Sequence, residues 1–215
     1  MSKMNLPNKL TMLRLCLVPV VMVLLLLPNK ILPWQIAFGV GAVLFVLTAL
    51  TDMLDGKIAR KHNLITNFGK FMDPVADKFM VIGTLMALFF RMLRPDLYGV
   101  KYSSAFTIAF FVAVVLIIFR ELAITSLRLV LVNSTGVVVA AKMLGKIKTV
   151  SQIACIVFLM VEPLIDALIL HFAPGYVLGG VYPVSVLLVV VMSVFTLWSG
   201  LDYIKGAWSS ISTDW

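Results

Sequence analysis

TDMLDGKIARKHNLITNFGKFMDPVADK, residues 51–78, holds Asp52, Asp55, Asp73 and Asp77 in a sequence that is 61% hydrophobic. The first half places Asp52, Asp55, Gly56, Ala59 and Arg60 at i, i+3, i+4, i+7 and i+8, which is one continuous stripe on a helix. The second half places Gly69, Asp73 and Asp77 at i, i+4 and i+8, again one stripe. Between them KHNLITNF is polar enough at its centre to turn the chain, so two helices are expected to pack as neighbours with their carboxylate faces opposed. Four anions brought together in a low-dielectric setting repel one another unless cations sit among them. Asp52, Asp55, Asp73 and Asp77 therefore predict a divalent metal site, read as two ions. Oxygen ligands with no His or Cys nearby favour Mg2+ or Mn2+ over zinc. Solvated carboxylates at the ends of two membrane helices are the plainer alternative, but they give no reason for every charge to keep to one stripe.

Outward from this stretch the chain is mostly hydrocarbon. Only 13% of its 215 residues are charged, which excludes an ordinary soluble domain and predicts an all-α polytopic membrane protein. Crossing a bilayer takes about 20 residues. Six apolar stretches reach that length, near 11–28, 32–60, 66–91, 104–132, 142–172 and 181–208, so six transmembrane helices are expected after a short, basic juxtamembrane segment at 1–10. With no long polar insert, residues 1–215 are read as a single membrane domain, and no cleavable signal peptide is evident. Asn8 or Thr11 is available to cap the first helix, and Pro19, Pro163 and Pro183 are candidate kink positions. Cys16 and Cys155 both fall in apolar runs and read as small buried hydrophobes.

The basic residues predict orientation. Lys3, Lys9, Arg14, the basic residues of 57–78 and 120–148, and Lys205 gather on one side if the termini share it, leaving Lys30, Arg91, Arg94 and Lys101 opposite. This places the termini and the aspartates on the cytoplasmic face of a cell membrane. A net charge of +8 suits anionic lipid and phosphate-bearing substrates, and its scatter among the spans speaks against nucleic acid.

Arg120 and Glu121 lie well inside the apolar run IIFRELAITSLRLV. A charge at that depth needs a polar cavity or a partner. Lys142 and Lys146 stand i, i+4 at the start of the next span, with Thr149 and Gln152 continuing near that face. Arg120, Lys142 and Lys146, with Arg128 one step further out, read as a basic pocket able to hold a phosphate. The competing reading is a set of topological anchors and snorkelling side chains. Glu162, Asp166 and His171 fall late in the fifth span and read as residues of the far interface.

Written out, the opening stretch is D-x2-D-G-x2-A-R-x8-G-x3-D-x3-D, and it resembles the signature of the CDP-alcohol phosphotransferases, with all eight fixed positions present. The resemblance implies a membrane enzyme that binds a CDP-linked lipid along Asp52, Asp55, Gly56, Ala59, Arg60, Gly69 and Asp73, with Arg60 on the phosphates. It implies metal ligation by the four aspartates, Asp77 as general base, and a homodimer. LPNKLTMLRLCLVPV at 6–20, FRELAITSLR at 119–128 and KMLGKIKTVSQ at 142–152 resemble the branch that joins CDP-diacylglycerol to glycerol 3-phosphate. Relatives that make cardiolipin or use an inositol phosphate are the close alternatives. A transporter built on intramembrane carboxylates is the alternative of another class, and it lacks the expected symmetry between halves.

Overall fold

A computed structural model describes residues 5–61, 67–135, 143–173 and 180–211. Every regular element among them is helical: α1 (Leu6–Leu26), α2 (Trp34–Lys61), α3 (Asn67–Leu93), the short α4 (Pro95–Tyr98), α5 (Ser104–Thr135), α6 (Met143–Phe172) and α7 (Pro183–Ile211). The six long helices coincide with the six expected spans. Five of them carry an unbroken run long and apolar enough to cross a membrane. α3 is just as long, at 27 residues, but Lys70, Asp73, Asp77 and Lys78 occupy its first half. Short α4 was not anticipated. Many outward side chains are large and apolar, among them Val43, Val112, Phe119, Leu187 and Val190, a surface suited to hydrocarbon.

The helices run alternately up and down, so α1, α3 and α6 are parallel and α2, α5 and α7 oppose them. α1 packs on both α2 and α3, α6 on α2 and α7, and α5 on α3 and α7. Their shared core holds Leu25, Phe38, Phe45, Leu85, Phe110, Ile117, Ile156 and Met192. Asn5 caps α1, its side chain accepting the Asn8 N–H at 3.3 Å, so the cap lies upstream of both residues the sequence suggested. Pro183 opens α7 rather than interrupting it, which suits its missing N–H. Cys155 is buried as expected, whereas Cys16 is exposed on the outside of α1.

The end of the bundle remote from the signature is fastened by buried polar contacts. Arg91, 2% exposed, donates to the carbonyls of Leu25 at 2.5 Å and Tyr98 at 3.1 Å. Its guanidinium lies over the rings of Phe38 and Tyr98, at 4.6 and 4.9 Å. Leu25 O belongs to the last turn of α1, where carbonyls lack helical donors. Glu162 is buried within the bundle, at the end where α7 begins. Its carboxylate accepts the N–H groups of Val184 at 2.9 Å and Ser185 at 2.6 Å, capping α7 from α6. Gly180 has φ +77°, and a Cβ there would lie 2.8 Å from the Lys101 carbonyl, so the turn before α7 requires glycine. Arg91→Met keeps the apolar bulk but strips two buried carbonyls of their donor. It is expected to cost about 2–4 kcal/mol, seen as a lower melting temperature in detergent, with partial recovery in Arg91→Lys.

Candidate active site

At the opposite end, α1 and α3 lie side by side and their side chains interlock. Thr11 and Arg14 are one turn apart on α1; Asp73 and Asp77 are one turn apart on α3. The Thr11 hydroxyl donates to Asp73 Oδ1 at 2.7 Å, and Arg14 Nη1 donates to Asp77 Oδ1 at 2.5 Å. The Arg14 side chain is fully enclosed, whereas that of Asp77 remains 48% exposed. Each carboxylate is therefore anchored from α1 while Asp77 keeps an open side. Gly69 is buried two turns before Asp77 on the same stripe.

Asp52, Asp55, Gly56, Ala59 and Arg60 lie in the last turns of helical α2, but their side chains, and residues 62–66 where the sequence predicts a turn, fall outside the described residues. The described residues hold no group of three or more metal-binding side chains. Asp73 and Asp77 are two carboxylates on one helix face, a donor set that fits a hard divalent cation once further oxygen ligands join them.

A second polar group spans α5, α6 and α7. Arg120 Nη1 and Lys148 Nζ both donate to Glu121 Oε1, the former at 3.2 Å. Arg120 Nη2 donates to Ser199 Oγ at 3.0 Å, and Arg120 Nε is buried with no partner among the described residues. A Cβ at position 200 would lie 3.2 Å from Arg120 Cγ, so Gly200 makes room for the stem of this arginine. Lys78 follows Asp77 on α3, and α3 packs against both α5 and α6, the helices that carry Glu121 and Lys148.

Arg120 and Glu121 thus form a pair, but an enclosed one rather than a snorkelling surface arrangement. Lys146 is exposed, Arg128 is exposed with its guanidinium 5.6 Å from the Tyr203 ring, and Lys142 lies outside the described residues. Lys148, Gln152, Cys155 and Leu159 make up the inward stripe of α6. The signal for Lys148 was present in that stripe, as a cation continuing the apolar face at i, i+4, i+7 and i+11. Thr11 and Arg14 were also open to detection, because an arginine within an apolar run needs a counter-charge.

The sequence model of the CDP-alcohol phosphatidyltransferase family matches residues 4–198. A Bacillus subtilis (strain 168) protein named CDP-diacylglycerol–glycerol-3-phosphate 3-phosphatidyltransferase is 39% identical over 97% of this chain and 98% of its own length. A protein of the same name from Yersinia pestis (strain Pestoides F) is 31% identical over 97% of this chain and 98% of its own. A third, from Rickettsia typhi, is 49% identical over a shorter region, 36% of this chain and 40% of its own.

Proposed function

The chain belongs to the CDP-alcohol phosphatidyltransferase family, and from that premise we propose that it transfers the phosphatidyl group of CDP-diacylglycerol to sn-glycerol 3-phosphate. The products are phosphatidylglycerophosphate and CMP. The observation that carries this reading is the pair of anchored carboxylates, Asp73 and Asp77, beside an enclosed cluster of cations. The first suits a diphosphate donor with its cations, and the second suits an acceptor bearing its own phosphate.

In this reading the family's divalent cation is Mg2+, two ions, with Mn2+ able to replace it, held by Asp52, Asp55, Asp73 and Asp77. When bound, it neutralises the diphosphate and stabilises charge on the attacking and leaving oxygens. Asp52, Asp55, Gly56, Ala59, Arg60, Gly69 and Asp73 line the CDP-lipid, whose acyl chains stay in hydrocarbon. Asp77 accepts the proton of the acceptor hydroxyl as its oxygen bonds to the lipid-bearing phosphorus. The bond from that phosphorus to the oxygen of CMP breaks, and CMP departs. Arg14 keeps the Asp77 carboxylate in place during this exchange. Arg120 holds the acceptor phosphate, with the exposed Lys146 and Arg128, and Lys142, as the further cations of this reading. The site and termini face the cytoplasm, and the enzyme works as a homodimer embedded in membrane lipid.

Release of CMP from CDP-diacylglycerol by purified protein, across phosphorylated and unphosphorylated acceptors, tests the assignment. Arg120→Ala is expected to raise the apparent KM for glycerol 3-phosphate about tenfold or more, a loss of about 1.5–3 kcal/mol for a charge-assisted hydrogen bond. The KM for CDP-diacylglycerol should change little, and Arg120→Lys should rescue only in part, because it keeps the charge and loses the fork. A raised donor KM with the acceptor KM untouched would move Arg120 to the donor site.

A further inference from the structure

We infer that Glu121 is a positioning residue, one that sets Arg120 and Lys148 side by side as a two-cation seat for the phosphate of the acceptor. The inference rests on the acceptor reading above. It begins from an oddity of charge. An acidic side chain inside a pocket meant for a phosphate dianion should weaken that pocket by like-charge repulsion. Glu121 nevertheless lies in its middle, 8% exposed, with both cations on one of its oxygens.

The geometry gives the acid a purpose. Arg120 on α5 and Lys148 on α6 would repel each other if brought together alone. One shared carboxylate oxygen draws them in and fixes their spacing across the two helices. Two cations against one carboxylate leave a net positive charge in an enclosed place, which an arriving anion completes. Ser199 on α7 holds the second guanidinium nitrogen, and the absent side chain of Gly200 lets the arginine stem lie against that helix. The guanidinium is thereby gripped from both flanks before any ligand arrives. Such pre-organisation lowers the ordering that binding must bring about.

Electrostatics and positioning predict opposite signs, so Glu121→Gln decides between them. As a mere repelling charge, its removal should lower the KM for glycerol 3-phosphate. As the residue that spaces the cations, its removal should raise that KM about tenfold, with much smaller changes in kcat and in the KM for CDP-diacylglycerol. Glu121→Asp should fall between, because its shorter arm cannot hold both cations. Ser199→Ala should raise the same KM by a few fold, and it keeps the test open if Glu121→Gln fails to fold. An unchanged or lowered acceptor KM in the folded variants would overturn the inference, as would equal losses in both KM values and kcat. Arg120→Ala, run alongside, separates the two readings. If it leaves the acceptor KM untouched, the pocket itself is misassigned; if it alone raises that KM, only the role of Glu121 falls.

Discussion

Asp73→Asn is expected to reduce CMP release to near background, a loss of about a thousandfold or more, equivalent to about 4 kcal/mol of barrier. The substituted protein should still be folded. Asparagine retains a carbonyl oxygen where Thr11 donates its hydroxyl, so the contact between α1 and α3 survives the change. What disappears is one negative charge from the set proposed above to balance a divalent cation. Thr11→Val is the useful comparison, because it keeps the charge and removes only the anchor, and its loss should be far smaller. Chelation with EDTA should mimic Asp73→Asn and be reversed by added Mg2+ or Mn2+. Full turnover in a thoroughly chelated preparation would refute the metal-dependent reading.

Arg14→Met should damage both stability and turnover. The guanidinium is wholly enclosed and supplies the contact to Asp77 from α1. Breaking an enclosed ion pair by removing one partner costs more than the pair contributes, because a charge is stranded. Here the open side of Asp77 stays hydrated, which moderates the loss to about 2–4 kcal/mol. The double variant Arg14→Met, Asp77→Asn separates the two effects. Without the stranded charge, its melting temperature should recover most of the way toward that of the native protein. Its activity should not recover at all, since the proposed base is gone. A double variant no more stable than Arg14→Met alone would show that Arg14 supports the fold by some route other than Asp77.

The sequence carried much of this arrangement, and the missing parts share a physical cause. Six helices were legible because hydrocarbon leaves the chain few other ways to satisfy its backbone. The spacing of Asp73 and Asp77 put them on one face, as α3 presents them. An arginine in an apolar run announces that it needs a partner without saying where the partner lies. Arg14 therefore reads in the sequence as one of the residues that set orientation, although a carboxylate partner lies 63 positions away on α3. Lys146 and Lys148 illustrate a different difficulty. Two positions on a helix are about 200° apart, so a small uncertainty in which face turns inward exchanges an exposed lysine for an enclosed one. Glu162 reads as a far-interface residue because it lies late in its span, and only packing of α7 against α6 shows that it caps α7 there.

The pairing of α1 with α3 also has a consequence for the order in which the protein is made. Arg14 is synthesised 63 residues ahead of the aspartate it serves. At ribosomal rates of 5–20 residues per second, the gap is roughly 3–13 s. Throughout that interval an arginine destined for complete enclosure is without the carboxylate of Asp77, and a charge at the membrane needs its partners. Arrival of α3 brings Asp77 to Arg14 and Asp73 to Thr11 in the same movement, so completing the insertion of one segment and assembling the proposed site become a single event. Ser199 emerges much later still, which leaves the grip on Arg120 as one of the last contacts the nascent chain can make.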